Sequence, residues 1–225
     1  MNERFEADTM TTSSDKKPTI VDRTLRNPQF MKDTPLCVEA LVNFVLAVFN
    51  VVVGIIESSL WPFTMAAYFA ILCIMGSYVA ACSIKPERHS ERSVMAVCGI
   101  CILALAVSIT FVQFLNISES HNEPFHPFVM IGMAAFTFLT AVIAIVDATK
   151  ARKGNGYQQA FLRISIASML GAMIVLEMHM LGTYAELTDA STMFALEAAS
   201  GAVVVLLLVL MGISLLLKSR KANAR

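Results

Sequence analysis

Charge is scarce in this 225-residue chain: Asp, Glu, Lys and Arg make up 15% of it and hydrophobic residues 56%. A globular domain carries about 25% charged residues, so too few charged side chains are present to clothe a core this apolar, and a water-soluble domain is excluded. The 17 basic and 17 acidic residues cancel, which leaves no net charge to attract nucleic acid. Missing as well are G-x-S-x-G, H-E-x-x-H, a P-loop and paired intramembrane aspartates. Hydrolysis and nucleotide chemistry therefore have no residues to run on, and neither an enzyme nor a cofactor is expected.

What the chain has instead is long apolar runs, and a mean hydropathy of +0.67. A helix crossing about 30 Å of hydrocarbon needs about 20 mostly apolar residues, and in lipid its backbone must satisfy its own hydrogen bonds. Six segments qualify: Leu36 to Ile56, Leu60 to Cys82, Ser93 to Leu115, Phe128 to Val146, Ile164 to Leu181 and Met193 to Leu217. The expected fold is an all-α, polytopic integral membrane protein with six transmembrane helices. Residues 1–35 read as a disordered cytoplasmic segment, 36–217 as the six-helix transmembrane domain and 218–225 as a basic cytoplasmic tail.

All 17 Lys and Arg residues fall in the N-terminal segment, the second and fourth loops and the tail, and none in the first, third or fifth loop. Basic loops stay on the cytoplasmic side, so both termini are expected there, in a plasma membrane or, in a bacterium, the cytoplasmic membrane. Asn116-Ile117-Ser118 is then a glycosylation sequon on the outer side, meaningful in a eukaryotic host.

Ionisable and strongly polar groups inside a span are costly, which makes each one a candidate for function. In the first span Glu39, Asn43, Asn50 and Glu57 are spaced by four, seven and seven residues, and at about 100° per residue they share one narrow stripe. Such a stripe lines a polar path, or its asparagines bond to a neighbouring helix while the two glutamates sit at the interfaces. In the fifth span Ser165, Ser168, Ala172 and His179 share a face, and Arg163 and Glu177 another. Glu177 and His179 form a proton-linked pair near the outer surface in one reading and are simply solvated in the other. Asp147, at the inner end of the fourth span, is expected to pair with Lys150 or Arg163.

Two further patterns carry less. His121, Glu123 and His126 match no defined metal spacing, and the acidic outer face follows from topology alone, so no metal site is assigned there. Cys98-Gly99-Ile100-Cys101 is a C-x-x-C, but on the reducing side of the membrane, where buried cysteines pack as small apolar residues. The 14 methionines read as flexible packing.

Six spans with both ends inside, Asn43 and Gly54 in the first span, Ser59-Leu60 entering the second, and the Lys85 to Arg92 loop with His89 together resemble the membrane part of cation diffusion facilitators. The resemblance implies that scaffold and transport. That family's metal ligands lie four apart in spans two and five; the corresponding positions here are Tyr68 and Leu72, and Ile164 and Ser168, none of which matches. The family's cytoplasmic metal-sensing domain has no counterpart either, so Zn²⁺ exchange at the usual site is not implied.

The expected function is that of a small secondary transporter or permease-like protein for a cation or small polar solute, with Glu39, Asn43, Asn50, Glu57, Ser165, Ser168, Glu177 and His179 along the substrate path. The alternative is a non-catalytic membrane scaffold or accessory subunit. The expected partners are the lipid bilayer, the transported cation or solute, and a second copy of the chain or a partner membrane subunit.

Overall fold

In the computed structural model the described residues are 28–84, 90–118, 127–151, 156–183 and 190–221, and they form six α-helices. These are α1 (Pro28–Glu57), α2 (Leu60–Ile84), α3 (Glu91–Ser118), α4 (Pro127–Ala151), α5 (Gly156–Thr183) and α6 (Ala190–Lys221). All six are long and apolar enough to cross a membrane. Residues 34–225 form one unit, and Met1–Asp33 another in which only residues 28–33 are described.

Local chemistry explains the ends. Pro28 and Pro127 stand at the first position of α1 and α4, where the missing N–H costs no helical bond and the fixed φ suits the helix. Only two residues separate α1 from α2, and Ser58 makes the reversal in the left-handed region at φ 53°. Around that turn the Phe63 ring folds over Gly54, where a Cβ would stand 3.0 Å from it.

The fifth helix begins eight residues before the expected Ile164. Its early turn is apolar and buried at Tyr157, Ala160 and Phe161, and its first N–H, on Gly156, donates to Glu91 Oε2 of α3 at 3.0 Å. A carboxylate at a helix N-terminus satisfies an orphan donor and complements the dipole. Beside it, Ser219 of α6 donates to Arg92 O at 3.0 Å and Lys218 Nζ to Gln159 Oε1 at 2.8 Å. These bonds tie α3, α5 and α6 together at their basic ends.

The helix sequence richest in polar residues is the most enclosed. α5 packs closely against α2, α3, α4 and α6, and α3 against α6 and α2. Small residues permit the closest approaches, as expected where apolar burial does not drive helices together. On the α3–α6 crossing, a Cβ on Gly99 would stand 3.1 Å from Gly212 O, and one on Gly212 3.0 Å from Gly99 O. On α5, a Cβ on Gly171 would run into the Tyr68 ring, whose hydroxyl donates to Ala167 O at 2.7 Å. α1 contributes Val42, Leu46 and Ala47 to the apolar core, and a Cβ on Gly76 of α2 would stand 3.9 Å from its Ala40. α4 and α6 expose broad apolar faces, including Ile131, Phe138 and Ile145 on one and Val203, Leu206 and Leu210 on the other, which is what a lipid-facing helix requires.

Candidate functional site: a polar seam between α1, α4 and α5

The stripe read from the first span is turned inward. Glu39 is 2% exposed and Asn43 and Asn50 are fully buried, whereas Leu41, Phe44, Val48 and Val52 on the remaining surface of α1 are exposed. This is the inverse of a soluble amphipathic helix, and it follows from a solvent that accepts Leu and Val but not carboxylates.

Two rungs join α1 to α5. In the first, Ser165 Oγ lies 2.8 Å from Glu39 Oε2 and 2.8 Å from Asp147 Oδ2 of α4, with its own Phe161 O at 3.3 Å. One serine thus brings two buried carboxyl groups from two other helices together. In the second rung, one turn along both helices, Ser168 Oγ donates to Asn43 Oδ1 at 2.6 Å. Asn43 therefore does make the interhelical bond that a packing asparagine makes. Asn50 does not: its Nδ2 donates to Leu46 O of its own helix at 2.8 Å, so it faces inward without bridging to a neighbour through that bond.

The fourth helix supplies a stripe that the sequence reading passed over. Thr137, Thr140, Ala144 and Asp147 are all buried, and their spacing of three, four and three keeps them on one face. Thr137 Oγ1 donates to Met133 O at 2.9 Å and also lies 3.2 Å from Ala172 O of α5, while Thr140 Oγ1 donates to Thr137 O at 2.9 Å. Asp147, expected beside Lys150 or Arg163, is 4% exposed and in contact with Ser165. Lys150 carries a side chain outside the described part of the structure, and Arg163 is half-buried.

Toward the other end of α5, His179 is fully buried. Its Nδ1 lies 2.7 Å from Val175 O, and since a carbonyl only accepts, that nitrogen carries the hydrogen. The ring meets Trp61 of α2 edge-on, with centroids 5.4 Å apart. Glu177 is half-buried and lies beside Ser200 of α6. The two residues read as a pair therefore face different helices, as a separation of two residues on a helix dictates. Glu57 closes α1, and its side chain lies outside the described part, as do His89 and the whole of the His121, Glu123 and His126 loop.

Four positions singled out by the family resemblance are core positions here. Tyr68, Leu72 and Ile164 are fully buried, and Ser168 is engaged with Asn43. Cys98 is buried and Cys101 half-buried, both as free thiols, on the helix that Gly99 brings against α6. Among the described residues no three His, Cys, Asp or Glu side chains gather as a metal site. The oxygen-rich set of Glu39, Asp147 and Ser165 has the chemistry to hold a proton or a small hard cation.

Compared with protein-family models, curated proteins and solved structures, the chain matches none of them.

Proposed function

We propose that this protein is a small secondary transporter, or permease-like protein, that moves a cation or small polar solute along the seam between α1, α4 and α5. The observation that carries the reading is the meeting of Glu39 and Asp147 on Ser165, two acidic side chains buried where the chain crosses the membrane. Such groups are expensive in lipid, and a chain needing only packed helices is cheaper with leucine at both positions. Asn43, Ser168, Thr137, Thr140 and Asn50 extend the same polar lining. Both termini lie on the cytoplasmic side in this reading, in the plasma membrane, with the acid pair nearer the basic ends of the helices. Six spans with both ends on one side set the second three in the opposite orientation to the first three, the inverted arrangement many secondary transporters use.

A scaffold or accessory subunit is the second reading, favoured by the bond between Asn43 and Ser168, which packs two helices without need of a substrate. Thermal unfolding of the purified protein against a panel of mono- and divalent cations, protons and small metabolites separates the two. A ligand that binds only the folded state raises the melting temperature, by about 2.7 kcal/mol of stability at a hundredfold excess over its Kd. A selective shift abolished by Glu39→Gln is expected for a transporter. No shift across the panel, with a partner protein co-purifying from native membrane, would establish the scaffold.

A further inference from the structure

Two carboxyl oxygens, from two helices, meet on the one hydroxyl of Ser165. A serine hydroxyl carries one hydrogen and can donate it once. Yet Oγ stands 2.8 Å from a carboxyl oxygen of Glu39 and 2.8 Å from a carboxyl oxygen of Asp147, distances at which a hydrogen lies between the two oxygens. If Ser165 donates to one carboxylate, the other contact has to be donated by a carboxylic acid. With both groups ionised, one contact is a bare oxygen-to-oxygen repulsion and two like charges share a buried site.

A second feature points to an occupant. Glu39 Oε1 and Asn43 Nδ2, an acceptor and a donor one turn apart on the same buried stripe, have no hydrogen-bond partner among the described residues. Asn43 is bonded to Ser168 through its Oδ1, which leaves its Nδ2 hydrogens for a further acceptor. Arg163, two residues before Ser165 on α5, is half-buried, and α2, which meets α1 where Gly76 approaches Ala40, places Leu72, Met75 and Val79 in the core.

We propose that Glu39 and Asp147 hold one proton between them and that the Ser165 hydroxyl relays it. When the acid form of Glu39 gives its hydrogen to Ser165 Oγ, the serine passes its own hydrogen to Asp147. Glu39 becomes the carboxylate, Asp147 the acid, and Ser165 is unchanged. The exchange moves the proton from α1 to α4 without any heavy atom leaving its place. The inference rests on the transport reading only in naming the proton as the coupling or transported ion; the proton itself is a property of the resting protein.

Infrared spectroscopy of the purified protein at neutral pH tests it. A protonated buried carboxyl has a C=O stretch separate from carboxylate bands, and the band shifts in D₂O. The wild type is expected to show it. Glu39→Gln and Asp147→Asn are each expected to abolish it, because a carboxamide N–H donates to Ser165 Oγ in the proton's place and leaves the remaining carboxyl ionised. A wild-type spectrum without the band overturns the proposal whatever the variants do. So does a band that survives both substitutions in folded protein, or a Na⁺-dependent rise in melting temperature that requires both acids with no band present. A band without flux in reconstituted vesicles would leave the proton site standing and remove the transport reading; flux without the band would do the reverse.

Discussion

Ser165 shows how much one small side chain decides in a medium without water. Carboxyl groups that would each find water in solution come together here, from α1 and α4, on one hydroxyl of α5. Asn43 and Ser168 carry less. Interhelical hydrogen bonds in membranes average about 0.6 kcal/mol and reach about 1.7, because the separated helices find other partners. Asn43→Ala is therefore expected to lower stability by about 0.5 to 1.5 kcal/mol in a denaturant or thermal titration, with the fold retained. A loss several times larger would mean that Asn43 positions more than Ser168. The residues seen in the sequence and those missed differ in one respect. Glu39, Asn43, Ser165 and Ser168 stand out because nothing else in their helices explains them. Thr137 and Thr140 satisfy themselves on carbonyls of their own helix, which makes a threonine in a span ambiguous, and Asp147, at the inner end of its span, reads in the sequence as a partner of Lys150 or Arg163. The spacing of three, four and three was nevertheless present in the sequence.

At the scale of the helix, the spans were legible because length and apolar composition are what the bilayer demands of any of them. The start of α5 was not, since Gln158, Gln159 and Arg163 make its first turns polar while Tyr157, Ala160 and Phe161 pack inward. Nor was it legible which helices would cross closely. The Gly99 and Gly212 pair is a property of two distant segments and appears only when α3 and α6 are laid together. Gly212→Val is expected to destabilise the protein by about 1 to 3 kcal/mol, as overpacking does. Gly132→Ala, at a position with nothing within 4 Å of an added Cβ, is expected to be neutral or to stabilise by about 0.4 to 1 kcal/mol. Thermal unfolding of both variants checks the pair. Equal effects would mean that close backbone approach does not hold α3 against α6.

At the scale of the molecule, the division of labour is between an apolar half that holds and a polar seam that differs from it. α2, α3, α5 and α6 close on one another through Leu72, Ile102, Leu105 and Ile174, and α1 adds Val42, Leu46 and Ala47 to that core while its polar side chains bond along the seam. The charge pattern predicts which side each loop takes, but a single chain's pattern is silent on what crosses between them. That question belongs to flux. The purified protein, reconstituted in vesicles with an imposed pH gradient and membrane potential, is to be assayed for proton movement with an entrapped pH-sensitive dye, alone and with each ligand that stabilises it. The account requires flux by the wild type, and its loss in Glu39→Gln and Ser165→Ala proteins that melt as folded proteins do. Wild-type vesicles no more permeable than empty ones under every gradient and ligand, or variants that conduct as the wild type does, would contradict it.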